Sequence, residues 1–233
     1  MKKHLPNLIT ALNLVSGFAA IIHAGNGDVV AAAWFIAAAM AFDFFDGFAA
    51  RALNAFSDVG KELDSLADVV SFGAAPATIL YRLTVSAYPP EGLFAQLSVI
   101  VILSVMPVCA AVRLAKFNID TRQAASFRGL ATPANAIAVI SMVFASNYSD
   151  CKVAALLINS PVAIIIITVT LSALMVSRLE LFSLKVSSLK LKGNEGRYLA
   201  LALLVVVFAV VGIRGVTLII PVYIIASLVS RWF

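Results

Sequence analysis

Apolar residues occupy most of the chain in long runs, and short polar segments interrupt them. These polar breaks are rich in turn-forming residues, as in Gly25–Asp28 and Pro89–Gly92. A helix needs about 20 apolar residues to cross a bilayer, and several of the runs reach that length. The pattern predicts eight helices, at residues 8–24, 29–50, 64–82, 93–112, 132–148, 153–176, 198–212 and 216–231.

The composition indicates that lipid surrounds these helices. Of the 233 residues, 62% are hydrophobic and only 12% are charged, whereas a soluble domain is nearer half apolar and a quarter charged. The interior of a 233-residue chain cannot bury this excess of hydrophobic residues. We therefore predict an all-α, polytopic membrane bundle of about eight transmembrane helices. It forms a single domain over residues 1–233, with its core at about 5–180 and a C-terminal helical hairpin at about 198–231.

The basic residues predict the orientation of the bundle. An even number of spans places both termini on one side, and that side collects fourteen of the 17 lysines and arginines. Basic loops remain cytoplasmic, so we predict a multi-pass protein of the plasma (inner) membrane with cytoplasmic termini. The net charge of +5 suits anionic lipid headgroups. Nucleic acid is not an expected partner, because the basic residues are spread over short loops.

Half of the acidic residues lie between Asp43 and Asp68. Asp43 and Asp46 are three positions apart, and Asp64 and Asp68 are four apart, so each pair shares one helical face. Both pairs fall at the cytoplasmic ends of adjacent predicted helices, where they can face each other. Four carboxylates at close range repel one another and are costly near lipid.

Divalent cations would remove this repulsion. Sites built from carboxylate oxygens suit Mg²⁺ or Mn²⁺ rather than zinc, which prefers nitrogen and sulfur ligands. A pair of metals also stabilises the attacking and leaving oxygens of an in-line displacement. The four aspartates therefore predict a two-metal site for phosphoryl transfer. Gly47 and Gly60 leave space on the faces of the two pairs, and Arg51 offers a fixed positive charge for a phosphate.

Two other interpretations of these acids remain open. Acids near a helix end are often a solvated face, and glycines in membrane helices often only permit close packing. Acids within a membrane can also relay ions in a cation transporter. A transporter, however, predicts acids spread through the depth of the membrane, and here they gather at one end.

The spacing Asp-x2-Asp-Gly-x2-Ala-Arg-x8-Gly-x3-Asp-x3-Asp, from Asp43 to Asp68, resembles the signature of the CDP-alcohol phosphotransferases. This resemblance implies that Asp43, Asp46 and Asp64 hold one metal, that Asp43, Asp64 and Asp68 hold the second, and that Asp68 is the general base. It also implies a homodimer. The residues that it assigns to the CDP-lipid are Gly47, Arg51, Ser57 and Gly60, together with Asn7, Thr10 and Asn13 in the first helix.

Two further motifs, RLAKFN at 113–118 and FRGLATPANA at 127–136, resemble the phosphatidylserine synthase branch, although that branch usually has a proline at the position of Ala131. The branch implies transfer of the phosphatidyl group from CDP-diacylglycerol to L-serine, giving phosphatidylserine and CMP. A free amino-acid carboxylate needs a cation. The expected acceptor-binding residues are Arg113, Asn118, Arg128, Gly129 and Pro133. Glycerol 3-phosphate and inositol phosphate remain alternative acceptors for the same chemistry.

Overall fold

A computed structural model describes residues 4–119, 127–149, 151–181 and 195–229, and nearly all of these residues are helical. The α-helices in chain order are α1 Leu5–Gly25, α2 Val29–Ala52, α3 Asp58–Asp68, α4 Ala75–Ala87, α5 Gly92–Ile119, α6 Thr132–Tyr148, α7 Lys152–Ile158, α8 Pro161–Val176, α9 Glu195–Val211 and α10 Ile219–Val229. A π-helical segment, Val69–Ala74, joins α3 to α4, and a 3-10 helix, Gly212–Leu218, joins α9 to α10.

Four helical stretches of the described residues are long and apolar enough to cross a membrane, so the chain is a multi-pass membrane protein. They are Leu5–Gly25, Val29–Ala52, Asp58–Ala87 and Gly92–Ile119, and the bent pair α7–α8 would make a fifth. The predicted helix 132–148 is present with the same bounds, but its 17 residues fall short of a full span. The two predicted C-terminal helices are also present in the described residues, where each is short.

The prediction of one continuous helix over 153–176 is wrong. The structure has two helices there, α7 and α8, which meet at an angle of 88°. Pro161 has no N–H to continue a helix, and a proline disfavours helical geometry in the preceding residue. Ser160 instead caps α8, since its hydroxyl accepts a hydrogen bond from the Ala163 N–H at 3.3 Å.

Helices α1 and α2 form a tightly packed hairpin. Asp28 caps α2 by accepting a hydrogen bond from the Ala31 N–H at 3.0 Å. The buried face between the helices is made largely of small residues, which let two helix backbones approach closely. These are Ala20, Ala24, Ala32, Ala33 and Ala39. The hairpin brings the N-terminal end of α1 beside the C-terminal end of α2, where the first two aspartates lie.

The π-helical segment between α3 and α4 follows from one proline. In a regular helix the N–H of residue 76 would bond to the carbonyl of residue 72, but Pro76 has no N–H. The Phe72 carbonyl instead accepts a hydrogen bond from the side-chain amide of Asn135 in α6, at 2.8 Å. The long α3–α4 rod is thus fastened to α6 immediately after Asp68.

The connection that precedes α6 is anchored to the end of α8. Two short strands, β1 Phe127–Arg128 and β2 Glu180–Leu181, pair in antiparallel fashion. The Gly129 N–H then donates to the Leu179 carbonyl at 2.8 Å, and the Leu130 N–H donates to the Leu174 carbonyl at 2.9 Å. These bonds fix where α6 begins.

Candidate active site

The structure brings the predicted aspartates together at one end of the bundle. Oxygens of Asp43 on α2 and of Asp64 and Asp68 on α3 all lie within 4.8 Å of one another. Asp46 lies outside this group of three, one turn along α2, where it lines the adjacent cavity with Asp64. Helix α3 begins earlier than predicted, at Asp58, because the Ser57 hydroxyl caps it by accepting from the Gly60 N–H at 3.0 Å.

Among the described residues, the four aspartates form no ion pair at contact distance. The side-chain atoms Asp46 Oδ2, Asp64 Oδ1 and Asp68 Oδ1 are buried without a hydrogen-bond partner in the part of the chain that the structure describes. Within that same part, the only ion pair closer than 4 Å joins His23 to Asp28, far from these four carboxylates in sequence. Buried carboxylates that lack cationic partners are costly, and hard divalent cations bind such oxygens. The residues present therefore fit a divalent metal.

A cavity of about 210 Å³ opens beside this cluster, between the N-terminal end of α1, the C-terminal end of α2 and the start of α3. Six of the residues expected to bind the CDP-lipid line it. They are Asn7, Thr10, Gly47, Arg51, Ser57 and Gly60. Phe56 and Lys61, which the sequence did not single out, also face the cavity. The cavity thus combines carboxylates at one end with two cations and an aromatic ring.

The two glycines of the motif make room for side chains of the protein itself. A Cβ atom at Gly47 would lie 3.4 Å from a guanidinium nitrogen of Arg51. A Cβ atom at Gly60 would lie 2.8 Å from Asn7 Oδ1 and 2.9 Å from Ser57 Oγ. The glycines therefore allow Arg51, Asn7 and Ser57 to reach the cavity, in addition to the close ligand approach that the sequence suggests.

Asn13 does not line the cavity. It lies one turn after Thr10 in α1 and is 0% exposed, and its main-chain carbonyl accepts a hydrogen bond from the Ser71 hydroxyl at 3.1 Å. Gly17, one turn further, leaves space for Ser71 as well, since a Cβ atom there would lie 2.7 Å from the Ser71 Cα. The structure therefore gives Asn13 and Gly17 a place in the packing of α1 against the π-helical segment.

Arg113 lies near the aspartates on the α5 side. Its side chain is 8% exposed, and its charge interacts with Asp68 and with Tyr223 of α10. Its Nε atom is buried without a hydrogen-bond partner among the described residues. Arg113 is thus a buried cation beside Asp68 with capacity to bind an anion. The electrostatic interaction with Tyr223 indicates that α10 lies on this side of the site.

Of the other expected acceptor residues, Asn118 and Gly129 make contacts within the protein, and Pro133 and Arg128 lie in α6 and β1. The Asn118 side-chain amide donates to the Ser65 hydroxyl at 2.9 Å. Gly129 has a φ of +77°, and an added Cβ would overlap the Met175 carbonyl oxygen. Pro133 lies in the first turn of α6, where a missing N–H costs nothing. Arg128 lies in β1, where its backbone pairs with Glu180.

Sequence reasoning missed Thr132, the first residue of α6. Its hydroxyl donates to Asp68 Oδ2 at 3.3 Å, and the side chain is 1% exposed. The Thr–Pro pair at the start of a predicted helix was a visible signal of a helix N-terminus. Nothing in the local sequence, however, connects position 132 to position 68.

The chain is similar in sequence to proteins of one family. The sequence model of the family described as CDP-alcohol phosphatidyltransferase matches residues 3–174. A relative from Bacillus subtilis (strain 168), named CDP-diacylglycerol--serine O-phosphatidyltransferase, is 34% identical over 177 residues, which cover 76% of this chain and 89% of the relative.

Two further relatives share less of their length with the chain. One with the same name from Mycobacterium leprae (strain TN) is 40% identical over 146 residues, or 60% of this chain and 46% of the relative. An archaetidylserine synthase from Methanothermobacter thermautotrophicus is 32% identical over 163 residues, or 69% of this chain and 66% of the relative. The similarity to all three thus covers most of the chain.

Proposed function

The chain belongs to the CDP-alcohol phosphatidyltransferase family, and from that premise we propose that it transfers the phosphatidyl group of CDP-diacylglycerol to the hydroxyl of L-serine. The serine oxygen forms a bond to the phosphorus that carries diacylglycerol. The bond from that phosphorus to CMP breaks, so the products are phosphatidylserine and CMP. The observation that carries the proposal is the meeting of Asp43, Asp64 and Asp68 beside a cavity that Arg51 and Lys61 also line.

The aspartates have separate roles in this proposal. Asp43, Asp64 and Asp68 would hold one divalent cation, Mg²⁺ or Mn²⁺, and Asp46 would share a second with Asp43 and Asp64. When bound, such cations neutralise charge on the diphosphate and on the attacking and leaving oxygens. Asp68 takes the proton of the serine hydroxyl, which is a poor nucleophile until a base removes that proton.

The cavity supports binding of the CDP part of the lipid. Arg51 is a donor for a phosphate oxygen, because a guanidinium matches phosphate geometry. Asn7 and Ser57 offer polar atoms nearby, and Phe56 offers an apolar ring face. Outside the cavity, α2 exposes an apolar surface that suits acyl chains in the bilayer. Its side chains are Phe44, Phe45 and Phe48, each more than half exposed.

Arg113 supports an acceptor that carries a carboxylate. It is a buried cation beside Asp68, and a charge-assisted bond to a carboxylate in such a place is strong. In this proposal Arg113 orients serine so that its hydroxyl faces Asp68. The names of the relatives from Bacillus and Mycobacterium agree with serine as the acceptor.

The location of the site is part of the proposal. The cavity includes Arg51 and Lys61, which belong to the side of the bundle that holds most of the basic residues. Basic loops remain cytoplasmic, so we place the site at the cytoplasmic face of the plasma membrane. A homodimer remains a prediction, and light scattering of the detergent-solubilised protein would measure its mass.

The activity can be measured directly. Purified full-length protein is incubated with CDP-diacylglycerol, labelled serine, and either Mg²⁺ or Mn²⁺. The expected result is labelled phosphatidylserine and CMP in equal amounts, which disappear when EDTA is added. The matched control is Asp68→Asn, which keeps the size of the side chain but cannot accept the proton. Absence of any metal-dependent lipid product would overturn the proposed reaction.

A competition assay identifies the acceptor. Serine, glycerol 3-phosphate and inositol phosphate are supplied together at equal concentration, and the lipid products are separated by mass. Serine is expected to give nearly all of the product, because the described residues on the α5 side offer one buried guanidinium, Arg113, which suits a single carboxylate. A dominant product from either phosphorylated acceptor would keep the family chemistry and reject serine.

A further inference from the structure

The two oxygens of Asp68 lie in different surroundings. Asp68 Oδ2 accepts a hydrogen bond from the Thr132 hydroxyl at 3.3 Å. Asp68 Oδ1 is buried and has no hydrogen-bond partner in the described parts of the chain. Asp68 also contributes an oxygen to the group formed with Asp43 and Asp64. The bond from Thr132 therefore determines how the carboxylate is turned relative to the other two aspartates.

The backbone before Thr132 is firmly held. Gly129 and Leu130 both donate backbone hydrogen bonds to the end of α8 and its following turn, at 2.8 and 2.9 Å. The positive φ of Gly129, +77°, and its close contact with the Met175 carbonyl leave little freedom there. The position of the Thr132 hydroxyl is therefore set by α8 rather than by the helix that carries Asp68.

A second contact fixes α6 against the segment that follows Asp68. The Asn135 side chain, on the same face of α6 one turn after Thr132, donates to the Phe72 carbonyl at 2.8 Å. That segment lies one turn beyond Asp68 in the α3–α4 rod. Thr132 and Asn135 thus bond to two successive turns of the same rod. The first turn of α6 also carries partial positive charge from its free N–H groups, which favours a carboxylate nearby.

We propose that Thr132 is a positioning residue for Asp68. Its hydroxyl holds Oδ2, so that Oδ1 is presented to Asp43 and Asp64, where the metal and the acceptor proton would be. The effect on turnover rests on the proposed function, while the effect on metal binding needs only the three aspartates. Hydrogen bonds that orient a metal ligand commonly change metal affinity about 10- to 100-fold when they are removed.

The test compares Thr132→Val with Thr132→Ser in the purified full-length protein. Valine keeps the shape and removes the donor, whereas serine keeps the donor. Free Mn²⁺ is titrated by electron paramagnetic resonance without substrate, and kcat and KM are measured separately. For Thr132→Val we expect Mn²⁺ affinity and kcat each to fall about 10-fold, with the KM for CDP-diacylglycerol unchanged. Thr132→Ser is expected to restore both values.

Thr168→Val is the matched control. Thr168 is also a fully buried threonine in a helix, and its hydroxyl donates to the Ile164 carbonyl of its own helix at 2.8 Å. Its replacement removes one buried hydroxyl without touching an aspartate. Mn²⁺ affinity should therefore equal that of the wild type. A loss as large as that of Thr132→Val would show a general packing effect and overturn the assignment.

Other results also decide the proposal. Wild-type Mn²⁺ affinity in Thr132→Val, or a loss in Thr132→Ser equal to that in Thr132→Val, would reject a positioning role. If Thr132→Val does not fold, Thr132→Ala takes its place and is compared with Thr132→Ser by the same criterion. If Mn²⁺ affinity falls as expected but serine is not an acceptor, the role of Thr132 stands and only the proposed reaction fails.

Discussion

The cavity beside Arg51 and the region around Arg113 adjoin the same aspartates but are built differently. In the cavity, the polar groups of Asn7 and Arg51 line open space, and the Ser57 hydroxyl lines it while also capping α3. In the Arg113 region, the expected residues are engaged with the protein itself: Asn118 bonds to Ser65, and Gly129 bonds to the chain after α8. The first region is organised to receive a ligand. The second is organised to hold two helices in place, with Arg113 as its buried cation.

The largest effect is expected where the two regions meet. Asp64 belongs to the carboxylate group and also lines the cavity, so Asp64→Asn should damage the metal ligands and the cavity at once. We expect turnover to fall at least about 10³-fold, since a bound metal contributes several kcal/mol to transition-state stabilisation. Mn²⁺ binding should weaken in parallel.

Asp58→Asn is the matched control for this change. Asp58 lies in the first turn of the same helix and is exposed. It should retain most of its turnover, since a surface charge near a helix N-terminus contributes only about 0.3–1 kcal/mol to stability. Equal losses from Asp58→Asn and Asp64→Asn would mean that the carboxylate group is not the centre of the site.

Arg113→Met sharpens the contrast between the regions. It removes the buried cation but keeps an unbranched side chain, so the KM for serine should rise about 10- to 100-fold, as expected for a lost bond of 1.5–3 kcal/mol to a charged group. The KM for CDP-diacylglycerol should remain unchanged. Lys116→Met, an exposed position on the same helix, is the control. A rise in the KM for the CDP-lipid instead would place Arg113 with the cavity.

Gly60→Ala tests the cavity, as Arg113→Met tests the Arg113 region. Its Cβ would crowd Asn7 Oδ1 and Ser57 Oγ, at 2.8 and 2.9 Å. Displacing one or both side chains should raise the KM for CDP-diacylglycerol about 10-fold, equivalent to the loss of about one hydrogen bond, while the KM for serine is unchanged. Gly25→Ala, where nothing lies within 4 Å of the added atom, should have no effect. A change in the serine KM alone would contradict the division between the two regions.

Gly129→Ala tests whether the Arg113 region is chiefly structural. We expect the free energy of unfolding to fall by about 1–3 kcal/mol because alanine is strained at this positive φ. Overlap with the Met175 carbonyl should lower the free energy of unfolding further. The serine KM of the remaining folded protein should be close to that of the wild type. Gly92→Ala is the control, because Gly92 has a similar φ of +80° in open space. Equal stability of the two variants would mean that the overlap has no cost.

Local spacing in the sequence was enough to predict that each pair of aspartates shares a helical face and that Gly47 and Arg51 lie beside the first pair. Asp43, Asp46, Gly47 and Arg51 follow one another within a single helix, so helical geometry alone places them on neighbouring faces. The presence of Asn7 in the cavity could be expected only through the family resemblance, since Asn7 lies on another helix. The helical nature of the chain likewise follows from its apolar runs.

The remaining features depend on contacts between distant segments. Thr132 meets Asp68 across 64 positions, and Asn135 meets Phe72 across 63, so no local pattern indicates either pair. The break before Pro161 was visible as a proline, but the continuous apolar run around it favoured one long helix. Prediction of the π-helical segment likewise required knowing which group bonds to the Phe72 carbonyl.

The π-helical segment also changes the direction in which side chains point along the α3–α4 rod. A turn closed five residues apart takes up one residue more than a turn closed four apart, which corresponds to about 100° of rotation in a helix of 3.6 residues per turn. Everything after Val69–Ala74 is therefore rotated by that amount relative to Asp64 and Asp68. Deleting a single residue from this segment would remove that rotation and turn the buried face of α4 away from the core, or the aspartates away from each other. The segment allows one continuous rod to satisfy both requirements.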